Sequence, residues 1–356
     1  MKRLSVALIA LLALALSLPA SAWIRSPATT FATLPPGATP PEGLTTGPNG
    51  DVYASTFGFP ASGGSKSPGQ VIVFDNHGKL LRQMVIVGAS PHLLGLAFNP
   101  VTHDFLVLDF GAGKVLRVNP LTGAIIPPAF ADIGAQCSST PGLCPVPGGP
   151  GLNALTFDAA GNVYVSDSFQ GIIWKLPPGG GTATAWVADV SLQTSGLPPF
   201  GANGVAFNND GSALYVANTG NDSVVRIPVS GGVPGPSKDF TFVYSINGAD
   251  GLIIDPDDNI WVCANQSDEI VVLDKTGRVI AKLGDFEGID SKGAVRGLLF
   301  PASLVFSGEF LLVTNLVLDT RLFGFMTLDS QWAAQVKQYT VSKINRHLPP
   351  THGDRD

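Results

Sequence analysis

Charge is scarce in this chain. Asp, Glu, Lys and Arg make up 13% of its residues and leave a formal net charge of −6. That mild acidity supplies no basic footprint for nucleic acid or for an anionic membrane surface. Cysteine is scarcer, with three in 356 residues. Helical periodicity is nearly absent after the first 22 residues. The one long apolar run, Leu4–Leu18, is too short to favour a membrane span. Abundant instead are glycine, with 42, and proline, with 29. That composition suits many short strands joined by turns.

The ends of the chain read differently from its body. Lys2 and Arg3 precede the apolar run, and Ala20-Ser21-Ala22 follows it as a small-residue cleavage site. Met1–Ala22 is therefore expected to be a cleaved secretory signal, which makes the mature protein periplasmic or secreted. Trp23 follows the cut, so no lipid-bearing cysteine is expected there. Residues 23–345 are expected to form one domain, because a repeat spans nearly all of them, and residues 346–356 a polar tail.

The repeat is clearest at Gly151–Asp167, GLNALTFDAAGNVYVSD: a short alternating strand, a tight turn and a second strand. Copies begin at Pro41, Leu93, Gly201, Gly248 and Pro301, which makes six. Aligned on Thr46, Phe98, Phe157, Phe207, Ile254 and Phe306, they lie 52, 59, 50, 47 and 52 residues apart. Such a period points to propeller blades. The fold predicted is all-β, a six-bladed β-propeller with about four antiparallel strands per blade. Val71–Phe74, Val115–Val118, Ile172–Leu176, Val224–Ile227 and Ile270–Leu273 read as third strands. Thr29–Leu34 and Val336–Val341 compete to supply the outer strand of the last blade.

Loop lengths indicate a working face. The first-to-second strand turns, such as DAAGN and DPDDN, are short, whereas Thr56–Gln70, Ala131–Gly151, Ser191–Ala202 and Gly284–Val295 are long. In a four-stranded meander the long loops gather on one face. Cys137 and Cys144 enclose SSTPGL in one of them and are expected to form a disulfide in an exported protein. They lack the further Cys or His that a structural zinc site needs. Cys263, within IWVCAN, reads as a buried small hydrophobe.

Four places before the alignment column stand Glu42, Leu94, Asn153, Asn203, Asp250 and Ala302. In a six-fold ring these positions converge on the axis at the loop-rich face. Glu42, Asn153, Asn203 and Asp250 would offer two carboxylates and two amide oxygens to one point. Hard oxygen donors of this mix suit Ca²⁺, or another divalent cation. The competing reading is that Asn, Asp and the glycines Gly43, Gly204 and Gly251 merely make turns. Leu94 and Ala302 argue against it, since the position does not demand a polar residue. Among the histidines only His92 is expected near the central mouth, as a general base or as a loop residue bonded to backbone. Phe57, Phe59, Phe200, Phe286 and Cys137–Cys144 would form an apolar rim or pack the loops together.

PEGL at Pro41, LNALTFD at Leu152, ANGVAF at Ala202 and ADGLIID at Ala249 resemble, in order and approximate spacing, the metal motifs of the senescence marker protein/gluconolactonase (regucalcin-like) family. Diisopropylfluorophosphatase and the paraoxonases are its relatives. The resemblance covers roughly residues 29–338. It implies a six-bladed propeller with Glu42, Asn203 and Asp250 as calcium ligands and Asn153 as a fourth ligand or a substrate contact. It further implies a lactonase or esterase in which calcium polarises a carbonyl and water, activated by Asp250 or His92, attacks; a covalent route through Asp250 is the alternative. Where the gluconolactonases carry an Arg for sugar hydroxyls, this chain has Gly151. Where the phosphatase has a His after the second strand of its last blade, this chain reads Val313-Thr314-Asn315-Leu316. The competing function is a non-catalytic propeller with structural calcium that binds a protein or glycan through its loops. A strictosidine-synthase-like propeller is a third option.

Overall fold

Turns set the local structure first. The Asp158 carboxylate accepts the N–H groups of Ala160 and Asn162 at 3.0 and 2.9 Å, and Asp255 holds Asp257 and Asn259 in the same way, both at 2.9 Å. A side chain that captures the backbone two and four residues on reverses the chain at once. The flanking alternating segments are then obliged to pair. The computed structural model describes residues 25–58, 68–244 and 246–348. The expected leader and most of the expected tail lie outside these residues, as does Phe59.

Each repeat copy opens one antiparallel sheet, and six such sheets form the blades of a β-propeller within Ser26–Leu348. The first blade runs Pro41–Thr46, Val52–Thr56, Gln70–Phe74, Leu80–Val85. The first strands of the others are Leu93–Phe98, Leu152–Phe157, Ala202–Phe207, Ala249–Ile254 and Pro301–Ser307. The fourth strand of blade 2 is reduced to Ala131–Asp132, and a helix, α1 (Ile133–Ser139), follows it with Asp132 as its cap. Cys137 on α1 is bonded to Cys144, with Cα atoms 5.3 Å apart, and both pack on the core between blades 2 and 3. Among the described residues no helix is long and apolar enough to cross a membrane.

The two candidates for closing the ring take different places. Thr340–Asn345 is the third strand of blade 6, beside Phe310–Asn315, and Thr29–Thr33 pairs outside it as the fourth. The first and last described strands thus share one sheet, which removes the open edge that an unclosed ring would expose.

The core lies between blades rather than within one. Second and third strands are buried on both faces, as in Val52–Thr56 and Glu269–Leu273. Six apolar clusters fill the six seams: Tyr53 and Val73 meet Phe105 and Leu116, for example, and Ala54 and Ile72 meet Leu312 and Val341. Cys263 is fully buried in the seam between blades 5 and 6. Side-chain hydroxyls also stitch neighbouring first strands. Ser55 Oγ donates to Leu94 O at 2.5 Å, Ser168 Oγ to Ala202 O at 2.7 Å, and Thr219 Oγ1 to Ala249 O at 2.8 Å. Thr314 Oγ1 donates to Glu42 O at 2.7 Å and so joins the last blade to the first.

Candidate functional site

All six first strands carry the same irregularity. Their register slips between Pro41 and Leu44, Leu93 and Leu96, Leu152 and Leu155, Ala202 and Val205, Ala249 and Leu252, and Pro301 and Leu304. Each slip contains the aligned residue: Glu42, Leu94, Asn153, Asn203, Asp250 or Ala302. A bulge re-aims a side chain, and here it does so six times around one axis. These residues therefore lie inside strands, and the turn reading of their neighbours does not hold. Gly43 and Gly251 have another purpose. A Cβ on Gly43 would collide with Leu94 O, and one on Gly251 with Ala302 O. Glycine permits the close approach of adjacent first strands that brings their aligned residues together.

Glu42, Asn153, Asn203 and Asp250 line one cavity on the axis, with Leu94 from blade 2. Counting its open mouth, the cavity is about 350 Å³, but the space a water can occupy is about 30 Å³. The enclosed space has room for an ion and one or two waters, and a larger ligand would extend into the open mouth. On blades 3, 4 and 5 the residue just past the second strand supports the aligned one. Asn153 Nδ2 donates to Ser168 Oγ at 3.1 Å and Asn203 Nδ2 to Thr219 Oγ1 at 2.9 Å. Engaging both amide nitrogens leaves their carbonyl oxygens for the cavity. Asn265 Nδ2 donates to Asp250 Oδ2 at 2.9 Å, which fixes that carboxylate by one oxygen.

The electrostatics are unbalanced without a cation. Glu42 and Asp250 are both only 4% exposed. Among the described residues neither forms an ion pair, and Glu42 Oε2 and Asp250 Oδ1 are buried without a hydrogen-bond partner. Burial, reinforced by the charge of Asp250, drives the Glu42 carboxyl well above its usual range. Burial pushes Asp250 up to about 7, against the opposing hydrogen bonds from Asn265, Asn203 and the Gly251 backbone. Two buried, unpaired carboxylates are costly unless something positive sits between them. Among the described residues no three His, Cys, Asp or Glu side chains cluster as a metal site. The donor set here is two carboxylates completed by amides, which fits a hard oxygen-seeking cation such as Ca²⁺.

His92 is held elsewhere. It bridges to Phe57, its ring lies 5.2 Å from the Phe57 ring, and it is not among the residues lining the cavity. Burial lowers its pKa, although the charge of Asp109 and a bond with the Gly58 backbone oppose that. Of the expected rim, Phe57 and Phe200 line the cavity. Phe286 instead packs on Trp332 of a second helix, α2 (Leu328–Ala333), with ring centroids 5.4 Å apart. Sequence reading missed the support residues Ser168, Thr219 and Asn265. They share one column, 15 or 16 places after Asn153, Asn203 and Asp250, so aligning the second strands as well as the first would have shown them. Leu316, also on the cavity wall, falls in that column on blade 6, whereas Phe300 and Leu318 come from loops flanking the most degenerate copy and have no such column.

Comparison with known proteins bears on this geometry. The stretch 149–284 matches the family described as SMP-30/Gluconolactonase/LRE-like region. This chain carries an SMP-30/gluconolactonase-like region. That region supplies Asn153, Asn203 and Asp250 with their three support residues, and leaves Glu42 outside. A luciferin-regenerating enzyme has a similar structure, with 13% identity, TM-score 0.61 and coverage of 92% of this chain and 97% of that one. A regucalcin from Agrobacterium tumefaciens, described as a calcium-binding protein, matches with 17% identity, TM-score 0.57 and coverage of 88% and 93%. A putative gluconolactonase matches with 18% identity, TM-score 0.56 and coverage of 94% and 96%. At these identities the structures support the propeller fold. A search of curated protein sequences gave no match.

Proposed function

We propose that the axial cavity is the active site of an exported lactone or ester hydrolase that works with a bound divalent cation, calcium first among candidates. One observation carries this reading: four oxygen-bearing side chains from four blades reach one cavity, and two of them are buried carboxylates with unpartnered oxygens. The SMP-30/gluconolactonase-like region and the similarity to a calcium-binding regucalcin support it. Glu42, Asn153, Asn203 and Asp250 would hold the cation. When bound, it would stabilise the negative charge that grows on a substrate carbonyl oxygen.

The protein's own contribution centres on Asp250. Asn265 anchors its Oδ2, which presents Oδ1 to the cavity. Oδ1 takes a proton from water as the water oxygen bonds to the carbonyl carbon. The proton then passes to the leaving alkoxide as the ester C–O bond breaks. His92 is outside the cavity lining, so its part in this scheme is to support Phe57. Export accords with the leader-like Met1–Ala22 and with the Cys137–Cys144 disulfide.

The narrow free space favours a second reading, a structural cation in a non-catalytic propeller whose loop face binds a protein or glycan. A panel of lactones and aryl esters, with and without chelator, separates the two. Hydrolysis lost on chelation and in Asp250→Ala and Glu42→Ala is expected. Full calcium occupancy with no turnover of any substrate would sink the enzyme reading.

A further inference from the structure

The cavity is chemically two-sided. On blades 3, 4 and 5 the column after the second strand reads Ser168, Thr219 and Asn265, each bonded to its aligned polar residue. On blades 6, 1 and 2 the same column reads Leu316, Phe57 and Phe110. Leu316 and Phe57 pack with Leu94, Phe300, Ala302 and Leu318 into one apolar cluster, and Phe110 packs against it. Half of the wall is thus hydrocarbon. No Lys, Arg or His is among the residues lining the cavity.

The apolar half is also held firmly. Phe300 and Val317 have φ of 49° and 54°, left-handed values that bulky and β-branched residues avoid. The Phe300 N–H is fixed on the buried Asp268 carboxylate at 2.7 Å, and Leu299 N–H on Asn315 Oδ1 at 2.9 Å. Such constraints persist only where the surroundings over-determine them. Behind the cavity-lining Phe200, Phe169 stacks on its ring at 5.9 Å, and Phe110 meets Phe169 edge-on at 5.3 Å. A Cβ on Gly151 would press into the Phe169 ring, so that position has no space for a polar arm.

We infer that the ligand of this cavity carries an uncharged apolar group, a short alkyl or aryl chain, opposite its carbonyl. Resting on the hydrolase reading, the inference places the carbonyl on the Asn153–Asn203–Asp250 side and the chain against Phe57, Phe300, Leu316 and Leu318. A polyhydroxylated ligand would leave its hydroxyls without partners on that wall, which selects against it.

The test compares two lactones of equal ring size on the calcium-loaded full-length protein, one with a butyl chain and one bearing hydroxyls. The alkyl lactone is expected to be preferred by about tenfold or more in kcat/KM, a modest share of about fourfold per buried methylene. Leu316→Ser is expected to shrink that preference while Leu316→Met retains it. Turnover with an equal or reversed preference would overturn the inference and leave the hydrolase reading standing. The matching pair of lactams, which resist hydrolysis, is titrated calorimetrically on the same protein. If no lactone turns over, tighter binding of the alkyl lactam sustains the ligand class and removes the hydrolase. Binding of neither lactam, or tighter binding of the hydroxylated one, would overturn the inference.

Discussion

Replacing Asp250 by Asn should stabilise the metal-free protein and abolish its response to calcium. The substitution preserves shape and an acceptor for Asn265 Nδ2, and removes one of two buried carboxyl groups. Burial raises Asp250 from 3.8 to about 7. Between those values the folded state keeps its proton while the unfolded chain has lost it. Stability is therefore fully present below about pH 4 and is lost as pH rises through about 7. A gap of about three pH units corresponds to a loss on the order of 4 kcal/mol by about pH 8. For a domain of this size the unfolding entropy is about 0.7 kcal/mol/K, so the loss lowers Tm by roughly 6 °C. Asp250→Asn escapes that loss. In chelator it should melt above the wild type by about that amount near pH 8, and level with it near pH 4. Asp268, pushed up to about 8 by burial and the nearby Asp329 charge, slopes the same way but is common to both proteins and cancels. Calcium at a thousandfold excess over Kd would restore about 4 kcal/mol to the wild type and nothing to the variant, which brings the two level near pH 8. Scanning calorimetry at two pH values, with chelator and with calcium, reads all four cases. A variant less stable than wild type in chelator near pH 8, or one with an undiminished calcium gain, would refute the argument.

Gly43→Ala should cost about 3 kcal/mol, because its Cβ collides with Leu94 O, and it should weaken calcium binding by displacing Glu42; denaturant titration and calcium calorimetry check both. Thr314→Val removes the hydroxyl that joins Glu42 O to the last blade and should lower stability by about 1–2 kcal/mol without altering the first-strand residues. For His92→Gln, unchanged kcat/KM across the pH profile is expected, since His92 supports Phe57 from outside the cavity. Loss of the low-pH limb of that profile, where a catalytic base becomes protonated, would return His92 to the chemistry.

The repeat, its period and the six blades were legible in the chain because each copy carries its own turn chemistry. Asp158 and Asp255 act on neighbours two and four residues away, and such local bonds need no tertiary context. The disulfide was legible from spacing, because a short loop brings Cys137 and Cys144 together almost unaided. The convergence of Glu42, Asn153, Asn203 and Asp250 followed from their shared phase, since equal positions in equal repeats meet at an axis. Other features depended on contacts between distant segments. Thr29–Leu34 and Val336–Val341 both read as spare strands, and only ring closure gave Thr29–Thr33 the outer place and set the other strand at Thr340–Asn345, inside it. His92 lay near the right place in sequence, yet half-burial against Phe57 took it out of the cavity lining. The apolar wall of Phe300, Leu316 and Leu318 arises where irregular loops around the last blade fold back over the axis. Local sequence therefore determined the blades and the phase of the oxygen donors, because hydrogen bonds within a copy are short in sequence. The tertiary structure decided how the dry side of the cavity is completed, because Phe300 and Leu318 reach it by packing between loops and occupy no shared column.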